Sequence, residues 1–178
     1  MSTKELKQQT KEERMSDVKC KLQSDGAKTC WETRSYQGQE LRCEVRPSAW
    51  WSGREDMCVL PEQQIVGGVE LPWATTVYIK KSENGKKWIS YARVQSLFGM
   101  GETIRFKGMS IPHALGVFFN EDGIVSSISL FHDGCTLLLK GQKYPWDACC
   151  RLHNGCSIMF TNDGSFNRCE TFEMPGSD

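Results

Sequence analysis

The chain predicts an all-β fold, an antiparallel β-sandwich or jelly-roll-like domain behind a polar N-terminal tail. Three observations predict it. From about residue 29 the apolar positions recur every second residue, as in Leu41, Cys43 and Val45 set against Arg42, Glu44 and Arg46. Asx-Gly dipeptides at Asn84-Gly85, Asp122-Gly123 and Asp163-Gly164 each separate two runs rich in Val, Ile, Tyr, Phe or Trp, which is a hairpin pattern. No long amphipathic helix pattern follows residue 30, so a parallel sheet would lack its crossover helices.

Residues 1–28 read as a polar tail or helix. Ser2 and Glu5 are spaced as a capping box, the stretch is rich in Lys, Glu and Gln, and Met15, Val18 and Leu22 share one thin helical face. Residues 29–178 read as one antiparallel β domain. Strands are expected around 41–45, at 74–80 and 87–94, at 103–107, at 114–119 and 124–131, at 135–140, and at 156–161 and 165–172. Ile65-Val66-Gly67-Gly68 resembles the new amino terminus of an activated chymotrypsin-like protease. The sequence contexts of that family's nucleophile and base are missing, so acyl-transfer chemistry of that kind is excluded and the segment reads as a strand ending in a Gly pair.

Composition narrows the function classes. The 178 residues carry 22 Lys plus Arg and 22 Asp plus Glu, and this balance argues against electrostatic binding to nucleic acid or a membrane surface. No apolar run approaches the roughly 20 residues that a membrane-spanning helix needs. The nine cysteines are numerous, yet the chain starts with a charged stretch instead of a basic and apolar leader. The expectation is an intracellular, cytoplasmic protein with mainly reduced thiols; a leader removed from the chain would make it secreted.

Several constellations carry candidate chemistry. His132-x-x-Cys135 and Cys150-x-x-His153 are two short-spaced pairs of the kind that could close a tetrahedral structural zinc site. No other cofactor is expected. The segments 101–106 (GETIRF), 113–119 (HALGVFF) and 123–125 (GIV) resemble the first block of the H-box thiol acyltransferase and hydrolase family. That resemblance implies His113 as the base that activates Cys156. A Cys-His enzyme has His153 with Cys150 as its second choice of pair. The family's Asn-Cys pair is interrupted here by Gly155. Segment 116–126 (GVFFNEDGIVS), Tyr144-Pro145, Gly155 and Ile158-Met159-Phe160, all within residues 114–160, resemble SPRY (B30.2) domains. This second resemblance implies an antiparallel sandwich.

Trp50-Trp51-Ser52-Gly53-Arg54 has the most unusual local composition. Adjacent Trp residues in a strand point to opposite faces, whereas in a loop at least one is expected to be exposed. Exposed Trp beside Arg is anchor chemistry for protein partners and stacking chemistry for sugars. The expectation is therefore a non-catalytic binding module that recognises a protein or peptide, or a glycan, through Trp50, Trp51 and Arg54. The alternatives are the Cys-His thiol enzyme and a small viral or pathogen-encoded interaction protein.

Overall fold

The computed structural model describes residues 18–96, 101–131 and 155–171. All of its regular structure is β: β1 (Lys19–Leu22), β2 (Lys28–Tyr36), β3 (Gln39–Glu44), β4 (Met57–Val59), β5 (Gln64–Val66), β6 (Val69–Leu71), β7 (Thr76–Lys81), β8 (Lys87–Arg93), β9 (Glu102–Phe106), β10 (Met109–Phe119), β11 (Val125–Phe131), β12 (Gly155–Phe160) and β13 (Phe166–Thr171). The strand pairs are antiparallel throughout, as the alternating pattern and the Asx-Gly turns predict. The capping box, the strand expected at 135–140 and the set His132, Cys135, Cys150 and His153 lie outside the described residues. Among those described, no helix is long and apolar enough to cross a membrane.

The small sheet has the order β1-β2-β3, and the large one runs β13-β12-β11-β10-β8-β7-β4 and curls into a half-barrel. One apolar cluster joins them: Tyr36, Leu41 and Cys43 from the small sheet meet Val77, Ile89, Ala92, Val117, Ile128 and Ile158 from the large one. The alternation on β3 leaves Leu41 and Cys43 buried while Arg42 between them faces solvent. A disulfide from Cys43 on β3 to Cys58 on β4 ties the two sheets through the core. A second disulfide joins Cys20 on β1 to Cys30 on β2. The expectation of mainly reduced thiols fails for these four cysteines.

The polar stretch 1–28 also needs correcting where it is described. Lys19–Leu22 is neither tail nor helix: it pairs with β2 from Lys19↔Trp31 to Leu22↔Lys28. Its four residues are exposed, so hydrophobic patterning gave no strand signal. What makes the strand is the Asp25-Gly26 turn and the cross-strand Cys pair.

The turns follow two rules. At Gln23–Ala27, Ser82–Lys86, Asn120–Ile124 and Thr161–Ser165 the first N–H donates to the fifth carbonyl, and the fourth N–H, always Gly, donates back to the first carbonyl. Each is a type I turn closed by a glycine at positive φ, a three-residue loop rather than the two-residue type expected of Asx-Gly. In three of them the Asx side chain accepts the N–H two residues on: Asp25 from Ala27, Asn84 from Lys86 and Asp163 from Ser165. The two-residue turns fall instead at Gln37-Gly38, Gly67-Gly68 and Lys107-Gly108, where both residues have positive φ.

Strand β10 is bent. Its first half pairs with β9 up to Ala114↔Glu102, and its second half pairs with β8 from Gly116↔Arg93. The register slips between Ile111 and Ala114, and within the slip His113 adopts φ 58°. Past the bend, Tyr78, Tyr91 and Phe118 lie in register across β7, β8 and β10 and stack, with ring centroids 5.7 and 4.5 Å apart.

Candidate functional site

The β3–β4 connection, residues 45–56, is built from successive turns, Ala49 N–H to Arg46, Ser52 N–H to Ala49 and Arg54 N–H to Trp51. Pro47 and Gly53 keep it from extending either strand. Such a loop needs an anchor, and Arg34 on β2 supplies it. Its guanidinium donates to the carbonyls of Arg54 and Met57, the latter at 2.7 Å, and pairs with Glu32. Burial works against the Arg34 charge, but the hydrogen bonds and charges of Glu32 and Tyr36 together outweigh it and hold its pKa above the ordinary arginine value. Residues 54–57 are thus pinned to the small sheet, which fixes where the two Trp residues stand.

Trp50 is 67% exposed, whereas Trp51 is half-buried. Their rings meet edge to face at 5.9 Å and 85°. Arg54 stands over the Trp50 ring at 5.4 Å and forms a bidentate pair with Asp56 at 2.9 and 2.6 Å. The Arg54 hydrogen bond holds the Asp56 carboxyl below its usual range. Trp50, Trp51 and Arg54 therefore form one cluster, and the two indoles divide the work: Trp50 presents its surface, while Trp51 connects that surface to the body of the protein.

Trp51 also lines a cleft of about 520 Å3. Its lining also takes in Trp73, 65% exposed, and the apolar Val59, Leu60, Pro61 and Ala74. The near rim comes from the β1–β2 turn through Gln23, Ser24, Asp25 and Ala27, and from Glu44, which pairs with Arg46 at 2.7 Å. Trp73 projects because the chain turns sharply behind it. Ala74 has φ 60°, its N–H donates to the Leu60 carbonyl at 2.8 Å, and the Leu60 N–H donates to Thr75 at 2.9 Å. A left-handed Ala costs about 1–2 kcal/mol, so the surrounding contacts hold this conformation against its own preference. Two buried polar atoms close to the cleft, the Trp51 indole nitrogen and the Thr75 hydroxyl, have no hydrogen-bond partner among the described residues. Unpaired buried groups cost about 1–3 kcal/mol each and concentrate where a fold serves something besides stability.

The sequence reading did not single out Trp73; its exposure and its place with Trp51 in the lining bring it into the site. The available signal was Pro72, which ends a strand and leaves the following Trp in a turn.

The thiol-enzyme candidates lie elsewhere. Cys156 on β12 pairs in register with Leu130 on β11, which pairs with Ala114 on β10, next to His113. Strand β11 thus stands between the two positions, two inter-strand spacings or roughly 10 Å of backbone. His113 occupies the β10 bend, where a Cβ on Gly101 would come within 2.5 Å of its carbonyl carbon. The remaining Cys-His pair, Cys150 and His153, and the zinc set as a whole fall outside the described residues. Among the described residues no cluster of three His, Cys, Asp or Glu side chains is placed to hold a metal. The segment resembling SPRY domains forms the β10–β11 hairpin.

No protein-family model, curated protein or solved structure matches this chain.

Proposed function

We propose that the protein is a non-catalytic binding module that takes an apolar or aromatic anchor of a peptide partner into the cleft between Trp51 and Trp73. The observation that carries this reading is that two indoles line one cleft, with Trp73 about two-thirds exposed beside the left-handed Ala74. Indoles contribute large contact area at low conformational cost, and anchors of this kind dominate binding energy at interfaces. The volume lies within the usual range for ligand sites, about 300–1,000 Å3. Trp50 and Arg54 extend the surface beside the cleft, and the clamp at Arg34 keeps it formed before binding. The paired cysteines favour an oxidising compartment over the cytoplasm as the place of action.

The test selects binders from a displayed random-peptide library on the wild-type chain, with a glycan array run in parallel. The indole to remove is Trp73, because replacing Trp51 would mix a binding effect with loss of packing. Trp73→Ala is expected to weaken the selected peptides at least about tenfold while moving the thermal midpoint by less than about 3 °C. Selection of glycans alone would replace the peptide by a sugar. Absence of both, or peptides indifferent to Trp73→Ala, would defeat the reading.

A further inference from the structure

The two disulfides differ in how far an outside thiol can reach them. Cys43 and Cys58 are 1% and 2% exposed and sit in the core between the sheets. Cys20 is exposed and Cys30 half-buried, on a hairpin whose outer strand β1 is solvent-facing along its whole length. The two residues are directly opposite in the β1–β2 register. Thiol–disulfide exchange requires a thiolate to reach a sulfur, so access separates labile bonds from inert ones.

What the exposed bond encloses gives it a consequence. Between Cys20 and Cys30 lie Gln23, Ser24, Asp25, Ala27 and Thr29, all on the border of the Trp51–Trp73 cleft. Among the described residues strand β1 is paired with β2 alone, through the four positions from Lys19↔Trp31 to Leu22↔Lys28. A four-residue edge strand that buries none of its side chains gains little from packing, so the cross-link is what holds β1 at its register on β2.

We propose that Cys20–Cys30 is a redox-controlled latch on the cleft: oxidised, it holds the β1–β2 turn as the near rim; reduced, it releases β1 and opens that side. The inference rests on the binding reading for its purpose, though not for its chemistry. The reductant is a dithiol, of the protein thioredoxin-like class or a small equivalent. Its thiolate attacks one of the two sulfurs, forming a mixed disulfide and expelling the other cysteine as thiolate. The second thiol of the reductant then attacks its own sulfur of the mixed bond and releases the remaining cysteine. Two electrons and two protons pass to Cys20 and Cys30, and the dithiol leaves as its cyclic disulfide. The buried Cys43–Cys58 bond stays closed, so the sheets remain joined while the rim moves.

The experiment titrates the full chain with dithiothreitol, alkylates the freed thiols and locates them by peptide mass spectrometry. Hydrogen exchange is then followed in residues 19–29 before and after reduction. Cys20 and Cys30 should be half-reduced at about tenfold lower dithiothreitol than Cys43 and Cys58. Amides of 19–29 should then exchange at least about tenfold faster, with the core strands unchanged. The double variant Cys20→Ser/Cys30→Ser should reproduce that exchange pattern without reductant. Simultaneous reduction of both bonds, or exchange in 19–29 unaltered by reduction and by the double variant, overturns the latch. Peptides selected as above separate the two ideas. Equal affinity for oxidised and reduced protein removes the latch and leaves the binding module standing, whereas failure to select any peptide removes the binding reading and leaves the latch to be judged by exchange.

Discussion

Arg34 is the residue whose removal should expose the logic of the site most directly. Its side chain is 17% exposed and that of its partner Glu32 25%, so both charges are largely out of water. Truncation to Ala deprives three acceptors of their donor: the carbonyls of Arg54 and Met57 and the Glu32 carboxylate. Losing one partner of a fully buried ion pair costs about 3–5 kcal/mol, and a hydrogen bond to a charged group is worth about 1.5–3. Partial exposure lets water re-solvate Glu32 and the Arg54 carbonyl, which brings the expected loss to about 2–3 kcal/mol. At about 2–4 °C per kcal/mol for a domain of this size, the thermal midpoint of Arg34→Ala should fall by about 4–12 °C.

Stability alone would not show that Arg34 acts on the Trp loop, so the assay adds a local reading. With 5-fluorotryptophan incorporated, 19F spectra resolve the individual indoles. In Arg34→Ala the Trp50 and Trp51 lines should shift and narrow toward solvent-exposed values while those of Trp31 and Trp88 stay in place. Arg34→Lys keeps the charge but cannot span Glu32 and two carbonyls with one ammonium, so it should recover no more than about half the loss. Glu32→Gln keeps the Arg34 bonds to the loop and should leave the Trp50 and Trp51 lines unmoved. A midpoint for Arg34→Ala within about 2 °C of wild type, or unchanged indole lines, would refute the clamp.

Two further outcomes follow from the geometry. Gly116→Ala places a methyl 2.5 Å from the Tyr91 ring, which is stacked between Tyr78 and Phe118. The overpacking should cost about 1–3 kcal/mol and weaken the near-ultraviolet circular dichroism of the stack; an unchanged spectrum and midpoint would show that the ring is not confined. Asp163 accepts hydrogen bonds from the Thr161 hydroxyl and the Ser165 amide, which lower its pKa from 3.8 to about 2. A carboxyl lowered on folding stabilises fully above its unfolded value and ceases to do so as pH falls through about 2. Asp163→Asn should therefore unfold at lower urea than wild type at pH 6, with the gap closing between pH 4 and pH 2; a gap independent of pH would count against the turn hydrogen bonds.

The parts of the fold legible in the sequence are those where side-chain chemistry repeats the backbone's demand. Alternation in β3 and the Asx-Gly turns before β8, β11 and β13 are visible because burial and turn geometry each select residue types. Strand β1 was hidden because it is exposed and only four residues long: Cys20 and Leu22 alternate with Lys19 and Lys21, a run too short to stand out from a polar stretch. The turns at Gln37-Gly38 and Lys107-Gly108 were hidden for a different reason. Only the second position there is a strong turn former, and the positive φ of Gln37 and Lys107 is imposed by the strands that the turns connect. Tertiary pairing set a conformation that the local sequence resists.

The site divides along the same line. Trp50, Trp51 and Arg54 drew notice as a composition, and the structure gathers them, because neighbours in sequence on a tight loop are also neighbours in space. Trp73 and the Gln23–Ala27 turn come to Trp51 from opposite directions along the chain, through the β4–β7 pairing and the β1–β2–β3 sheet, and no local pattern carries that meeting. The cysteines show the limit of compositional reasoning most plainly. Their number and the charged start of the chain argued for free thiols, yet pairing is decided by register: Cys20 faces Cys30 because the Asp25-Gly26 turn fixes the hairpin. Cys43 meets Cys58 because β3 and β4 pack across the core. The residue that nucleates the hairpin thus determines which sulfurs can bond, and through them whether the cleft has its near rim.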